Sequence, residues 1–138
     1  MPLLIDLKPG ERVIINGSVL ENAGSNTKIR IHNESAILRQ KEILTEQDAV
    51  TPASRVYFAL QCAYIFPDRR AHYLELFHGY LGEYLEACPS AAPIGDEIRG
   101  AIETAHYYAA LRACRKLLRH EADVVASMTV SPPGEANG

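Results

Sequence analysis

With 138 residues, 47% hydrophobic and 22% charged, the chain has the make-up of one ordinary globular domain or two small modules sharing a core, and wholesale disorder is excluded. Fourteen Lys and Arg against seventeen Asp and Glu leave a formal charge of −3, so the protein is not basic throughout and any nucleic-acid surface must be a local patch. Residues 1–44 carry six cations and five anions and the remainder eight and twelve, an asymmetry with the sign expected if the N-terminal part faces an anion.

The first stretch alternates. Leu3, Ile5 and Leu7 share one side of an extended backbone, and Val13 and Ile15 resume the two-residue period after Lys8-Pro9-Gly10. Asn16-Gly17 is a turn, Ser18 to Glu21 a short strand, and Asn22 to Asn26 a second turn, so two hairpins are expected. From Thr27 to Asn33, Ile29 and Ile31 point one way while Lys28, Arg30 and His32 point the other. Ala36 to Arg39 closes the set, giving five short antiparallel strands in a meander or small barrel.

Near residue 50 the period changes to that of a helix, and residues 45–51 read as a hinge, with Thr45 and Asp48 at capping distance. Thr51 then Pro52 is a strong helix start, for a side-chain acceptor precedes a residue whose missing N–H costs nothing at that position. The first helix runs from Pro52 to Ile65, with Val56, Leu60 and Ala63 inward. The second, Arg69 to Ala87, buries Leu74, Phe77, Leu81 and Leu85, and its Gly79 and Gly82 mark a close helix crossing. A third helix covers Ile94 to Thr104. After a break at Ala105-His106, the fourth runs from Tyr107 to Ser127, with Leu111, Cys114, Leu117, Leu118 and Val125 inward and Arg112, Arg115, Lys116 and Arg119 around the rest. Short connections imply antiparallel neighbours in a bundle of about four helices over residues 52–128. Residues 129–138 are expected to be a disordered tail.

No catalytic constellation stands out. The five histidines lack ligand spacing, so no metal or other cofactor is expected. Cys62, Cys88 and Cys114 are odd in number, widely spaced and set in helical patterns, which fits a reducing compartment. Leu3-Leu4-Ile5 runs straight into Asp6 without the features of a secretory signal, and no apolar run is long enough for a membrane span. A cytoplasmic, non-enzymatic protein without a membrane partner is the reading.

Two surfaces invite a binding role. Lys28 and Arg30, with Arg39, Lys41 and Lys8 widening the patch, either form a solvated strand face or set cations at intervals that suit phosphates of an extended RNA. Residues 1–50 hold no aromatic side chain on which a base can stack. Arg55, Tyr57 and Gln61 define a helix face that is either a boundary layer or a protein-binding groove.

Leu7-Lys8-Pro9-Gly10-Glu11-Arg12, Ile14-Ile15-Asn16-Gly17, Ile37-Leu38-Arg39 with Lys41-Glu42-Ile43, and Thr51-Pro52-x-x-Arg55-x-Tyr57-Phe58-x-x-Gln61-x-x-Tyr64 resemble the FlbT family of flagellum biosynthesis regulators, over roughly residues 3 to 126. The resemblance implies a cytoplasmic bacterial protein that associates with the 5′ untranslated leader of flagellin mRNA, lowering its translation or lifetime, with a functional link to FlaF. The first 44 residues also resemble, more loosely, the RNA-binding regulator CsrA, a domain-swapped dimer of five-stranded chains. Two departures matter: Leu7 stands where that family has an arginine, with Lys8 beside it, and Arg39 falls one position early, with Gln40 at the matching place. A one-residue offset reverses a strand's face, so either a bulge redirects Arg39 or the RNA is read differently.

The expectation is therefore an α+β chain: a CsrA-like antiparallel sheet module over residues 1–44, then a helical bundle. RNA binding falls to Lys8, Lys28, Arg30, Arg39 and Lys41, and exposed strand edges offer a route to a homodimer. The alternative is an adaptor or chaperone that grips flagellin or FlaF through Arg55, Tyr57 and Gln61.

Overall fold

Residues 3–130 are described by the structure, a computed structural model; the tail expected to be disordered lies, from residue 131 onward, outside the described residues. The alternating N-terminal stretch forms β1 (Leu3–Leu7), β2 (Arg12–Ile15), β3 (Ser18–Glu21), β4 (Thr27–Ile31) and β5 (Ile37–Arg39). These strands make two antiparallel sheets rather than a meander or closed barrel: β1 pairs with β4, and β2 lies between β3 and β5. The first hairpin is as expected, with Asn16 and Gly17 both at positive φ, 52° and 86°. The second is not formed, because β3 and β4 enter different sheets. Asn22 explains the divergence. Its Nδ2 donates to the carbonyls of Leu7 and Ser25, both at 2.9 Å, and its backbone exchanges hydrogen bonds with Gly10 and Glu11, so the loop is tied to the end of β1.

Ile5, Leu7 and Val13 are buried between the two sheets, with Ile15, Ile29, Ile31 and Ile37 around them. The other face of the three-stranded sheet gives Ile14 and Leu38 to the helical core. Strand β2 is thus covered on both sides, which is why Val13-Ile14-Ile15 reads as an unbroken apolar run. The result is three layers, with the three-stranded sheet in the middle.

The helices are α1 (Pro52–Ile65), α2 (Arg70–Ala87), α3 (Ala92–Glu103) and α4 (Tyr107–Val130). Helix α1 starts as the sequence dictates: Thr51 Oγ1 accepts from the Ser54 N–H at 3.2 Å and Ser54 Oγ accepts from the Thr51 N–H at 2.7 Å. Glu121 of α4 adds a second cap, its carboxylate accepting from the Thr51 hydroxyl at 2.7 Å and the Ala53 N–H at 3.0 Å. The single apolar stripe expected of α1 is corrected. Ala53, Val56, Tyr57, Ala59, Leu60, Cys62, Ala63 and Ile65 are all buried, because α1 packs against both α2 and α4 and lies beneath the sheet residues Ile14 and Leu38. Helix α4 outruns the bundle, so Val125, expected inward, is 52% exposed.

Close helix approach occurs at a different glycine from those expected. A Cβ at Gly79 or Gly82 would meet nothing within 4 Å, whereas one at Gly95 of α3 would stand 2.7 Å from the Leu85 side chain of α2. The break before α4 is a Schellman motif, in which Ala105 takes a positive φ of 60° and the His106 N–H reaches the Ala101 carbonyl at 2.8 Å.

Gly79→Ala is therefore expected to stabilise the protein by about 1 kcal/mol, the helix-propensity difference with no steric opposition. Gly17→Ala should destabilise by more than about 1 kcal/mol, since its φ is +86° and the added Cβ meets the Phe66 ring at 3.0 Å. Urea denaturation of the two variants checks both signs.

Candidate nucleic-acid interface

Lys28 and Arg30 are both exposed on the outer face of the β1–β4 sheet, turned away from Ile29 and Ile31. The expected row of cations exists, but it is not free of anions. Asp6 pairs in register with Lys28, and the Lys28 Nζ lies 3.0 Å from Asp6 Oδ1. Both side chains are about two-thirds exposed, so the pair is weak and screened, yet it halves the local charge. Arg30 sits opposite Leu4. Lys8 is exposed in the turn after β1, its backbone N–H bound by the Glu11 carboxylate at 2.9 Å.

The ladder from Ile37 to Arg39 runs without interruption against Ile15 to Val13, so no bulge redirects Arg39. Arg39 ends β5, and Lys41 lies in the 3-10 turn Gln40–Glu42 that follows. Both line a groove of about 500 Å³ whose other wall is α4, with Tyr108, Arg112 and Arg115 facing them and Tyr64 at the base. Glu42 is the one carboxylate in this lining, and it is engaged on both oxygens: Oε1 accepts from the Arg39 N–H at 2.9 Å, and Oε2 accepts a short hydrogen bond from the Tyr108 hydroxyl. Burial and this carboxylate together push the Tyr108 phenol up to about 12, so it is a donor at neutral pH. The Tyr64 and Tyr108 rings lie 5.8 Å apart between centroids.

A second concavity of about 440 Å³ shares Arg112 and Arg115 and continues along α4 to Lys116 and Arg119. Its carboxylate, Glu97, is bound by Lys116 at 2.9 Å. The structure thus brings Arg39 and Lys41 together with Arg112 and Arg115, and the adjoining concavity adds Arg119, all three arginines from the side of α4 that the sequence marks as solvated. Their spacing of three and four residues was the available signal, but nothing local shows that this face turns toward β5.

The protein-binding face expected from Arg55, Tyr57 and Gln61 is corrected. Tyr57 and Gln61 are each 3% exposed. The Tyr57 hydroxyl donates to the Glu42 carbonyl at 2.7 Å, while Gln61 accepts from the Leu44 N–H and donates to the Leu44 carbonyl, both at 2.9 Å. They are internal partners of the backbone that leads into the expected hinge, not a surface. Arg55 alone is exposed, at the rim of an apolar groove of about 460 Å³ between α1 and α2, walled by Phe58, Phe66, Tyr73, Leu76 and Tyr80. Cys62 lies at the floor of that groove. Among the described residues no cluster of His, Cys, Asp and Glu can hold a metal ion, and no helix is long and apolar enough to cross a membrane.

Fold and site together define the class: a small α+β chain with a polar concavity where a strand module meets a helical bundle, lined by cations and tyrosines. The family model for the flagellar protein FlbT matches residues 3–125, and the chain belongs to the FlbT family. A probable flagellum biosynthesis repressor protein FlbT of Rhodopseudomonas palustris (strain TIE-1) is 36% identical over 126 residues, covering 91% of this chain and 99% of its own length. A probable repressor, FlbT 1, of Bradyrhizobium diazoefficiens is 38% identical over 122 residues, 88% of this chain and 83% of that protein. The flagellum biosynthesis repressor protein FlbT of Caulobacter vibrioides (strain ATCC 19089) is 29% identical over 140 residues, 99% of each chain. No solved structure matches the chain.

Gln61→Ala strips the partners from both the N–H and the carbonyl of Leu44 and should cost about 1–3 kcal/mol in urea denaturation. Burial pushes the Cys62 thiol up to about 11 and the Cys114 thiol up to about 12, so both stay protonated at pH 8. Iodoacetamide at that pH should label half-buried Cys88 first in the native protein and reach the other two only on unfolding, as read by intact mass.

Proposed function

We propose that this FlbT-family chain is a post-transcriptional regulator of flagellum biogenesis in the cytoplasm, which associates with the 5′ untranslated leader of flagellin mRNA and represses its translation or promotes its decay. Its relatives carry the name of flagellum biosynthesis repressors. The observation that carries the RNA reading is the groove at Arg39 and Lys41, open and cationic, with its one carboxylate already satisfied, in a chain of formal charge −3. Such a surface contacts phosphates, which supply affinity and position without reading sequence. Lys28, Arg30 and Lys8 extend the electropositive surface outside the groove.

A second reading has an observation of its own. The α1–α2 groove is apolar, exposes Phe66 and Leu76, and carries Arg55 at its rim, which suits an adaptor or chaperone that holds flagellin or FlaF. Association of two copies would fall to β3, an edge strand exposed along its whole length with Val19 and Leu20 on it. The outer edge of β5 is less open, because the Tyr64 hydroxyl accepts from the Ile37 N–H at 3.1 Å.

Gel retardation of flagellin-leader RNA and capture of purified flagellin, run on one protein preparation, separate the two readings. Leader RNA should be retarded, with affinity falling steeply as salt rises. Lys28→Gln with Arg30→Gln should weaken binding several-fold with the fold intact. Glutamine is preferred to glutamate here, because a carboxylate at position 28 would stand directly across the strand pair from Asp6. Capture of flagellin with no retardation of RNA would favour the adaptor.

A further inference from the structure

We infer that a single strand of RNA crosses the protein where β5 meets α4, its phosphates on Arg39, Lys41, Arg112, Arg115 and Arg119 and one base stacked on Tyr108; this rests on the reading of the chain as a leader-RNA-binding protein. Arg112, Arg115 and Arg119 are exposed and lie three and four residues apart, so they line one side of α4 over about 10 Å. Two adjoining concavities share Arg112 and Arg115, one carrying Arg39 and Lys41 and the other Arg119, so the five cations form one continuous lane. Four of the five are arginines, whose planar fork of donors fits a phosphate on two oxygens at once.

The two carboxylates along this lane have their oxygens committed: Glu42 accepts from the Arg39 N–H and the Tyr108 hydroxyl, and Glu97 is paired with Lys116, so neither is tied to the side chain of any of the five cations. On the β4 face, by contrast, Lys28 already has Asp6 at 3.0 Å. The lane thus sets Arg39, Lys41, Arg112, Arg115 and Arg119 around Glu42 and Glu97, a larger excess of cations than Lys28 and Arg30 have over Asp6.

It also supplies what residues 1–50 lack, an aromatic ring beside the cations. Tyr108 is 38% exposed, Glu42 holds its hydroxyl, and the Tyr64 ring lies beside it at a tilt of 43°, so its ring is accessible and held at one end. Stacking on such a ring tolerates any base, which separates affinity from sequence choice. A duplex offers no unstacked base to this ring, so the ligand is single-stranded.

The test measures binding of fluorescent flagellin-leader RNA by anisotropy across a salt series, using the full chain and the variants Arg112→Gln with Arg115→Gln, Arg119→Gln, Tyr108→Ala, Tyr108→Phe and Lys28→Gln with Arg30→Gln. Thermal melting by circular dichroism accompanies each variant. The double arginine variant should bind at least tenfold more weakly, and the salt slope should fall by about 1.4, or about 0.7 for each phosphate no longer neutralised. Arg119→Gln, which removes no interaction with the core, should lower the slope by about 0.7 and keeps the test alive if the double variant melts early. Tyr108→Ala should weaken binding about tenfold at unchanged slope, while Tyr108→Phe, which keeps the ring but loses the Glu42 bond that orients it, should lose clearly less than Tyr108→Ala does. If the groove variants keep full affinity and slope while the strand variant loses both, the lane is refuted and the RNA reading stands. If the parent chain binds no leader RNA at all, that reading falls and the lane with it. Equal losses for Tyr108→Ala and Tyr108→Phe would refute the stacked base.

Discussion

Three polar side chains on one line of α1 hold the molecule together across its layers. Tyr57, Gln61 and Tyr64, spaced four and three residues apart, bond the backbone at Glu42, Leu44 and Ile37. A helix has no free backbone donors in its interior with which to join a sheet, so side chains must take that place. Here they act as a substitute strand, satisfying the edge of β5 and the segment after it. Because all three junctions are buried or half-buried, removing any one would leave a desolvated peptide group without a partner, and the angle between sheet and helix is fixed accordingly.

That fixed angle is what makes the cationic lane. Arg39 and Lys41 belong to the strand module, and Arg112, Arg115 and Arg119 to the last helix; none are neighbours in sequence across that divide. They converge because α1 positions β5 on one side and packs α4 on the other. In a chain with an excess of acid, five cations gather here around only two carboxylates, Glu97 paired with Lys116 and Glu42 turned to the Tyr108 hydroxyl and the Arg39 N–H.

Much of the fold was legible in the residues, and the gaps have physical causes. Thr51-Pro52, Asn16-Gly17 and the break at Ala105 are local signals whose meaning does not depend on distant parts of the chain, and all three appear where the chain announces them. Strand pairing was not local: the side chain of Asn22, read only as turn chemistry, ties its loop to β1 and sends β4 to a different partner from β3. The face of α1 is not legible because a helix packed on most of its circumference leaves too narrow a solvated stripe to reveal its orientation, and Tyr57 and Gln61 look the same on paper whether they bond water or a buried peptide. Of the candidate site, Arg39 and Lys41 were visible as cations near a strand end, whereas the opposing wall required the tertiary structure.

Glu42 sits at a crossing of these relationships. Its carbonyl is held by α1 through Tyr57, its carboxylate by α4 through Tyr108, and its carboxylate also restrains the peptide of Arg39. The short turn that bears two cations of the lane is thus also the keystone between the strand layers and the bundle. A change at Glu42 is therefore felt in three places at once, at the end of β5, on α1 and at the start of α4, so no one of these elements can shift without disturbing the other two.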